Sequence, residues 1–134
     1  MNFKKSVSLT AVVLFAGSAA VAAKTSKVQE VLSKYEKTGE SVNCLRARSL
    51  SETDVLDDYT ILVEAPGGVY LNELNGRCSG LAREERYVRD SPDARLCKGD
   101  IIRVIDTFGN MMGSCSLGAF EKLSEIEQAD TQSE

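Results

Sequence analysis

Four cysteines spread widely along the chain, Cys44, Cys78, Cys97 and Cys115, constrain the fold more than any other feature. Neighbouring cysteines stand 34, 19 and 18 positions apart. Structural zinc sites bring their ligands in pairs roughly two to four residues apart, so this spacing argues against a zinc centre. It also leaves no Cys-x-x-Cys pair of the redox type. An even count in an oxidising compartment reads as two disulfides, for which three pairings are open. The expected pairing joins Cys78 to Cys97 across about 20 residues and Cys44 to Cys115 across about 70. In the chain-entropy model these loops are worth about 3 and about 4 kcal/mol.

The oxidising compartment is itself an expectation from the first residues. Lys4 and Lys5 precede an apolar run from about Val7 to Ala20, and Ala20, Val21, Ala22 and Ala23 close it with small side chains. That is the layout of a secretory leader cut after Ala22 or Ala23, and the run is short for a retained membrane anchor. No cysteine follows the run before Cys44, so a lipidated N-terminus is not expected. Losing Lys4 and Lys5 with the leader moves the formal net charge from −4 to −6. An acidic exported domain is poorly suited to nucleic acid or to an anionic membrane surface. No later stretch is long and apolar enough to form a stable membrane span after cleavage.

The chain contains no histidine. A Ser-His-Asp or Cys-His relay and a His-ligated zinc site therefore cannot be built. Carboxylates, lysines and tyrosines remain for acid–base work.

The pattern along the chain is mainly that of β-structure. Residues 25–38 read as a short amphipathic helix, with Ser26 and Gln29 as a capping box, Val28, Val31, Leu32 and Tyr35 on one face, and Gly39 as its stop. From Val42 onward the language is that of strands. "DYTILVEA", the turn Pro66–Gly68 and "VYLNEL" form a hairpin. "LAREERYVR" mixes a helical turn at Leu81 and Ala82 with a strand at Tyr87 and Val88. "DIIRVIDTF" is apolar on both faces, like a central strand, and Gly113 and Gly118 mark bulges or tight bends in the stretch that returns from it. The expected architecture is a small curved antiparallel sheet or barrel of about five or six strands with one short N-terminal helix. The expected organisation is a signal peptide over 1–23, a helical segment over 24–40, a disulfide-stapled β domain over 41–120, and an acidic, partly disordered tail over 121–134.

Two clusters carry chemistry worth weighing. Asp57 and Asp58 precede one strand, and Asp100 and Asp106 flank another. Converging carboxylates would suit calcium or acid–base work, the latter with Tyr59, Tyr70 or Tyr87 as partners. The competing role for such aspartates is to accept hydrogen bonds from turn amides. Arg83, Arg86, Tyr87 and Arg89 could grip a carboxylate or a sugar, but Glu84, Glu85 and Asp90 interleave them, as on a solvated mixed-charge face. Met111 and Met112 stand at a hairpin tip, where they either expose soft apolar surface or tuck into the core. An uncovered sheet edge would offer a further, generic binding route by strand addition.

Several ordered motifs also resemble one family. They are Cys44-Leu45, "DDYTIL" (Asp57–Leu62), "VYLNEL" (Val69–Leu74), Cys78 with Gly80-Leu81, "RLC" (Arg95–Cys97), "DIIRVID" (Asp100–Asp106) and "SCSLGAF" (Ser114–Phe120). Together they cover about residues 44–120 and resemble the bacterial domain of unknown function family number 6491, found mainly in proteobacteria. The resemblance implies a small, exported, cysteine-containing protein of the Gram-negative envelope, periplasmic or secreted. It implies no activity, cofactor or metal, and no catalytic residue. The functional expectation is a non-enzymatic binding or structural module whose partner is an envelope protein or a small ligand. The alternatives are a small carboxylate- or tyrosine-based enzyme, a calcium-binding domain, or a redox protein built on one labile disulfide.

Overall fold

The hairpin at Pro66-Gly67 forms the middle of the structure. Gly67 turns the chain at φ 106°, a region that favours glycine. The turn joins β4 (Thr60–Ala65) to β5 (Gly68–Glu73). The computed structural model describes residues 26–91 and 93–127. The leader expected over 1–23, and residues 128–134 of the expected tail, lie outside the described residues.

Around that hairpin stand α1 (Lys27–Lys34), β1 (Tyr35–Val42), β2 (Cys44–Arg46), β3 (Glu52–Val55), α2 (Leu81–Glu84), β6 (Tyr87–Arg89), β7 (Arg95–Cys97), β8 (Ile101–Ile105), β9 (Met111–Ser116) and β10 (Phe120–Glu125). The fold is mainly β with antiparallel pairing throughout, as the strand patterns predict. It is cut finer than expected, with ten short strands among the described residues in place of five or six. They form a five-stranded sheet in the order β1-β10-β5-β4-β3, a β2-β7 ribbon and a three-stranded β6-β8-β9 sheet, and these do not close into a barrel.

Both faces of the five-stranded sheet are covered. Ile61, Val63, Tyr70 and Phe120 enter the main core with Leu45 and Leu96 from the ribbon and Ile102 and Val104 from the three-stranded sheet. Leu62, Leu71 and Leu123 face the other way and pack with Leu56 beneath Val28, Val31 and Tyr35. This explains why β4 is apolar at consecutive positions and not only at alternate ones.

The expected helix end, acidic tail and cysteine pairing need correction. The helix stops at Lys34, and Tyr35 turns into β1 with extended backbone. The reason is a partner: β1 pairs with β10 from Tyr35↔Glu125 to Val42↔Phe120, which offers the backbone more hydrogen bonds than another helical turn. Leu32, expected on the apolar stripe, is instead exposed. Secondly, Glu121–Glu125 is not tail but part of β10, lying between β1 and β5. Its apolar residues, Phe120 and Leu123, are three apart because they serve opposite faces of a doubly covered sheet. Thirdly, the cysteines pair as Cys44–Cys97 and Cys78–Cys115. Cys44 stands directly across the ribbon from Cys97, with Cα atoms 4.0 Å apart. The β8–β9 register sets Cys115 opposite the fully buried Ile102, pointing into the core where Cys78 waits.

β8 also departs from its expected burial. Ile102 and Val104 are fully buried, but Ile101 on the other face is exposed. Helix α1 starts as expected, with the Ser26 hydroxyl accepting from Gln29 N–H at 3.2 Å. Gly113 and Gly118 do mark close approaches. An added Cβ would lie 2.8 Å from Ser79 O at Gly113 and 2.0 Å from Glu73 O at Gly118.

Gly118 is locked by a buried amide. The Asn72 side chain donates to Gly118 O at 2.8 Å and accepts from Gly118 N–H at 2.9 Å. Asn72 is fully buried, so it acts as a piece of backbone where the chain bends into β10. Replacing Asn72 by leucine leaves both Gly118 groups unpaired, a cost of about 1–3 kcal/mol for each. Gly118→Ala forces its methyl against a backbone carbonyl, and overpacking of that kind costs about 1–3 kcal/mol or more. Urea denaturation is expected to show each variant destabilised by about 2 kcal/mol or more; wild-type midpoints would refute the lock.

Candidate functional site

The four aspartates singled out by the sequence are occupied with the chain's own turns. Asp57 accepts from Tyr59 N–H at 2.7 Å. Asp58 reaches further: one carboxylate oxygen accepts from Ala82 N–H at 2.9 Å and the other from Arg77 Nε at 3.1 Å. It thereby caps the short α2, whose own N-cap position is Gly80 with no side chain to do so. Asp100 accepts from Cys97 N–H at 2.8 Å. Asp106 holds the β8–β9 turn by accepting from Phe108 N–H, Asn110 N–H and the Asn110 side chain.

These carboxylates do not converge. Asp100 and Asp106 bracket opposite ends of β8, a span of about 17 Å for five residues. Asp57 and Asp58 sit at the start of β4 in a different sheet. Among the described residues no group of three or more Cys, Asp or Glu side chains could hold a metal ion. Asp58 has its pKa lowered, first by the Ala82 amide and then by Arg77. Asp106 has its pKa lowered as well, by the Asn110 side chain and then the Asn110 amide. The Asp58 shift arises from a helix cap and an arginine and the Asp106 shift from turn hydrogen bonds, neither from a second acid.

The tyrosines offered as acid–base partners are equally dispersed. Tyr59 is half exposed in the turn before β4, and Tyr70 is buried on β5. Tyr87 on β6 is partly buried; burial pushes its pKa up, while the Thr53 hydroxyl works the other way. Arg83 pairs with its neighbour Glu84 at 2.7 Å. Arg89 spends its guanidinium on Arg95 O and Asp93 O, bracing the loop before β7. Arg86 is exposed. The basic-aromatic stretch is thus split between helix end, core and loop.

The concavity that the sequence did not reveal lies between α1 and the edge strand β3. It is a groove of about 530 Å³. Val31, Val55, Leu56 and Leu62 supply apolar surface, and Glu30, Asp54, Glu64 and Glu85 make the lining predominantly acidic. Two lysines partly offset this: Lys27 pairs with Glu85 at 2.5 Å and Lys34 with Glu30 at 3.2 Å. Glu85 raises the pKa of Lys27, but the pair is more than half exposed and adds little stability. Asp54 and Glu64 have no ion-pair partner among the described residues. The only signal in the sequence was the apolar stripe of α1; the opposite wall depends on β3, whose "ETDV" carries a single apolar residue.

Comparison with protein-family models, with curated proteins and with solved structures returns no match. The functional reading therefore rests on geometry.

Two outcomes follow from the aspartates. Asp58 has a folded-state pKa below its unfolded value, so its contribution to stability is present above about pH 4 and is lost as pH falls through the folded-state value. Asp58→Ala is expected to cost about 1 kcal/mol at pH 7, as for a lost helix cap. The gap to wild type in urea melts should narrow as pH falls below about 4; a gap independent of pH would refute the role. The melting temperature of the oxidised protein is expected to be the same in calcium and in chelator, because no carboxylate cluster among the described residues awaits an ion. A calcium-dependent rise would overturn this assignment.

Proposed function

We propose that the protein is an exported, non-enzymatic binding module of the Gram-negative envelope that receives its partner in the α1–β3 groove. The observation that carries this reading is the groove's lining, apolar surface beside the carboxylates of Asp54 and Glu64, which have no ion-pair partner among the described residues. Such a surface suits a ligand or protein segment with an apolar body and a cationic group. An enzyme of the carboxylate or tyrosine kind needs two titratable groups meeting with shifted pKa values in one cleft. Here the shifted aspartates serve a helix cap and a turn, and the titratable pairs along the groove are exposed ion pairs. Two intramolecular disulfides support export, and no helix among the described residues is long and apolar enough to cross a membrane. Membership of the uncharacterised family number 6491 belongs to the same proposal and is compatible with it.

The test is a binding comparison on protein recovered from the periplasm. Intact mass is expected to show loss of the first 22 or 23 residues and four fewer hydrogens than the reduced chain. Photo-crosslinking from Lys34, on the helix wall of the groove, should capture the same partner repeatedly, and Asp54→Lys with Glu64→Lys should abolish that capture. Capture that is unaffected by the charge reversal would move the binding surface elsewhere.

A further inference from the structure

The two disulfides occupy different environments. Cys78 is fully buried and Cys115 nearly so, inside the main core. Cys44 and Cys97 are both partly exposed, at one end of the small β2–β7 ribbon. Lys98 N–H donates to Asn43 O at 2.7 Å and Ala47 N–H to Ala94 O at 2.8 Å. The rungs Cys44↔Cys97 and Arg46↔Arg95 therefore fall at the non-hydrogen-bonded positions, where facing side chains are closest. Leu45 and Leu96, one residue along each strand, point into the core. The bridge and the two arginines consequently share the outward face.

Two like charges directly across a ribbon repel one another. Neither Arg46 nor Arg95 has an acidic partner among the described residues, although the chain as a whole is acidic. Their placement makes chemical sense if an anion forms beside them. Opening the bridge creates one, because thiolates are stabilised by nearby guanidinium groups. A second groove, of about 360 Å³, lies beside Cys44, with Arg46 and Tyr70 in its lining, and leaves room on that side of the bridge for Cys44 once it is released.

We infer that Cys44–Cys97 is a thiol–disulfide exchange site that accepts electrons from a reduced dithiol, while Cys78–Cys115 remains closed. The inference goes beyond the proposed groove binding and does not depend on it. A thiolate of the dithiol attacks Cys97 Sγ. The Sγ–Sγ bond breaks with its electron pair on Cys44, which leaves as a thiolate facing Arg46. The direction follows from Asp100, whose carboxylate accepts from Cys97 N–H and makes Cys97 the less favourable site for negative charge. The second sulfur of the dithiol then attacks the first, forming the dithiol's own disulfide and releasing Cys97. The two protons of the dithiol end on Cys44 and Cys97, and two electrons have been transferred. Lys98 adds positive charge on the same strand end, and Asp100 is the acid that opposes it.

The experiment is timed alkylation and peptide mapping of the oxidised mature chain in dithiothreitol, with circular dichroism followed in parallel. Cys44 and Cys97 are expected to label at least about tenfold faster than Cys78 and Cys115, with the β spectrum retained. The Arg46→Ala/Arg95→Ala variant should open several-fold more slowly while its spectrum is unchanged. Cys44→Ser, with the second bridge intact, should exchange its free Cys97 thiol with an added small-molecule disulfide, leaving a mixed disulfide on Cys97 and releasing one thiol. Equal labelling of all four cysteines, labelling only as the spectrum collapses, or opening of Cys78–Cys115 first would overturn the site. A wild-type opening rate in the double arginine variant would overturn the role of the guanidinium groups. Opening by glutathione as fast as by dithiothreitol would overturn the assignment to dithiols.

Discussion

The structure depends on covalent links between pieces of sheet too small to hold position alone. A two-stranded ribbon with three residues per strand is marginal in water, and the three-stranded sheet has one face open to solvent. Cys78–Cys115 fastens the loop before α2 to β9 in the middle of the core. Cys44–Cys97 closes the ribbon across a single rung. The bridges span 37 and 53 residues, loop lengths worth about 4 kcal/mol each in the chain-entropy model. A domain with a net stability of about 5–15 kcal/mol is strongly affected by either. The five-stranded sheet is the exception, since the main core covers one of its faces and α1 the other.

Much of this was legible in the residues, and what was not has a common cause. The β4–β5 hairpin, the strand at Tyr87 and the start of α1 follow from local chemistry: a Pro-Gly turn, β-branched and aromatic residues, and the Ser26 cap. Features that need a partner from elsewhere in the chain leave no local signal. The end of α1 is decided by β10, some ninety residues away. β10 itself looks like a polar tail until its two covering layers are known. The cysteine pairing hides in strand register, because a local loop and a long loop look equally reasonable on spacing. Asn72 reads as a polar interruption in a strand, yet its partner Gly118 makes it a core residue.

The same distinction governs the candidate sites. Asp57, Asp100 and Asp106 accept from amides within four residues, so their role could be weighed from turn chemistry alone. Asp58 also reaches across to Ala82, which no local rule predicts. The α1–β3 groove could not be seen beforehand, because its walls come from a helix and an edge strand that are neighbours only once β1, β10 and β5 are in place. The arginine pair beside Cys44–Cys97 was hidden for the same reason: Arg46 and Arg95 are distant in the chain and adjacent in the ribbon.

β1 forms the outer rim of the five-stranded sheet, and its composition has a consequence for crowding. It is charged, exposed along nearly its whole length, and irregular between Lys37 and Ser41, where Gly39 adopts φ 84°. A free strand arriving there would meet a broken ladder of amides and carbonyls and a row of hydrated lysine and glutamate side chains. Copies of the molecule are thereby discouraged from stacking rim to rim into fibrils, even though the interior strands are rich in the β-branched and aromatic residues that such stacking prefers.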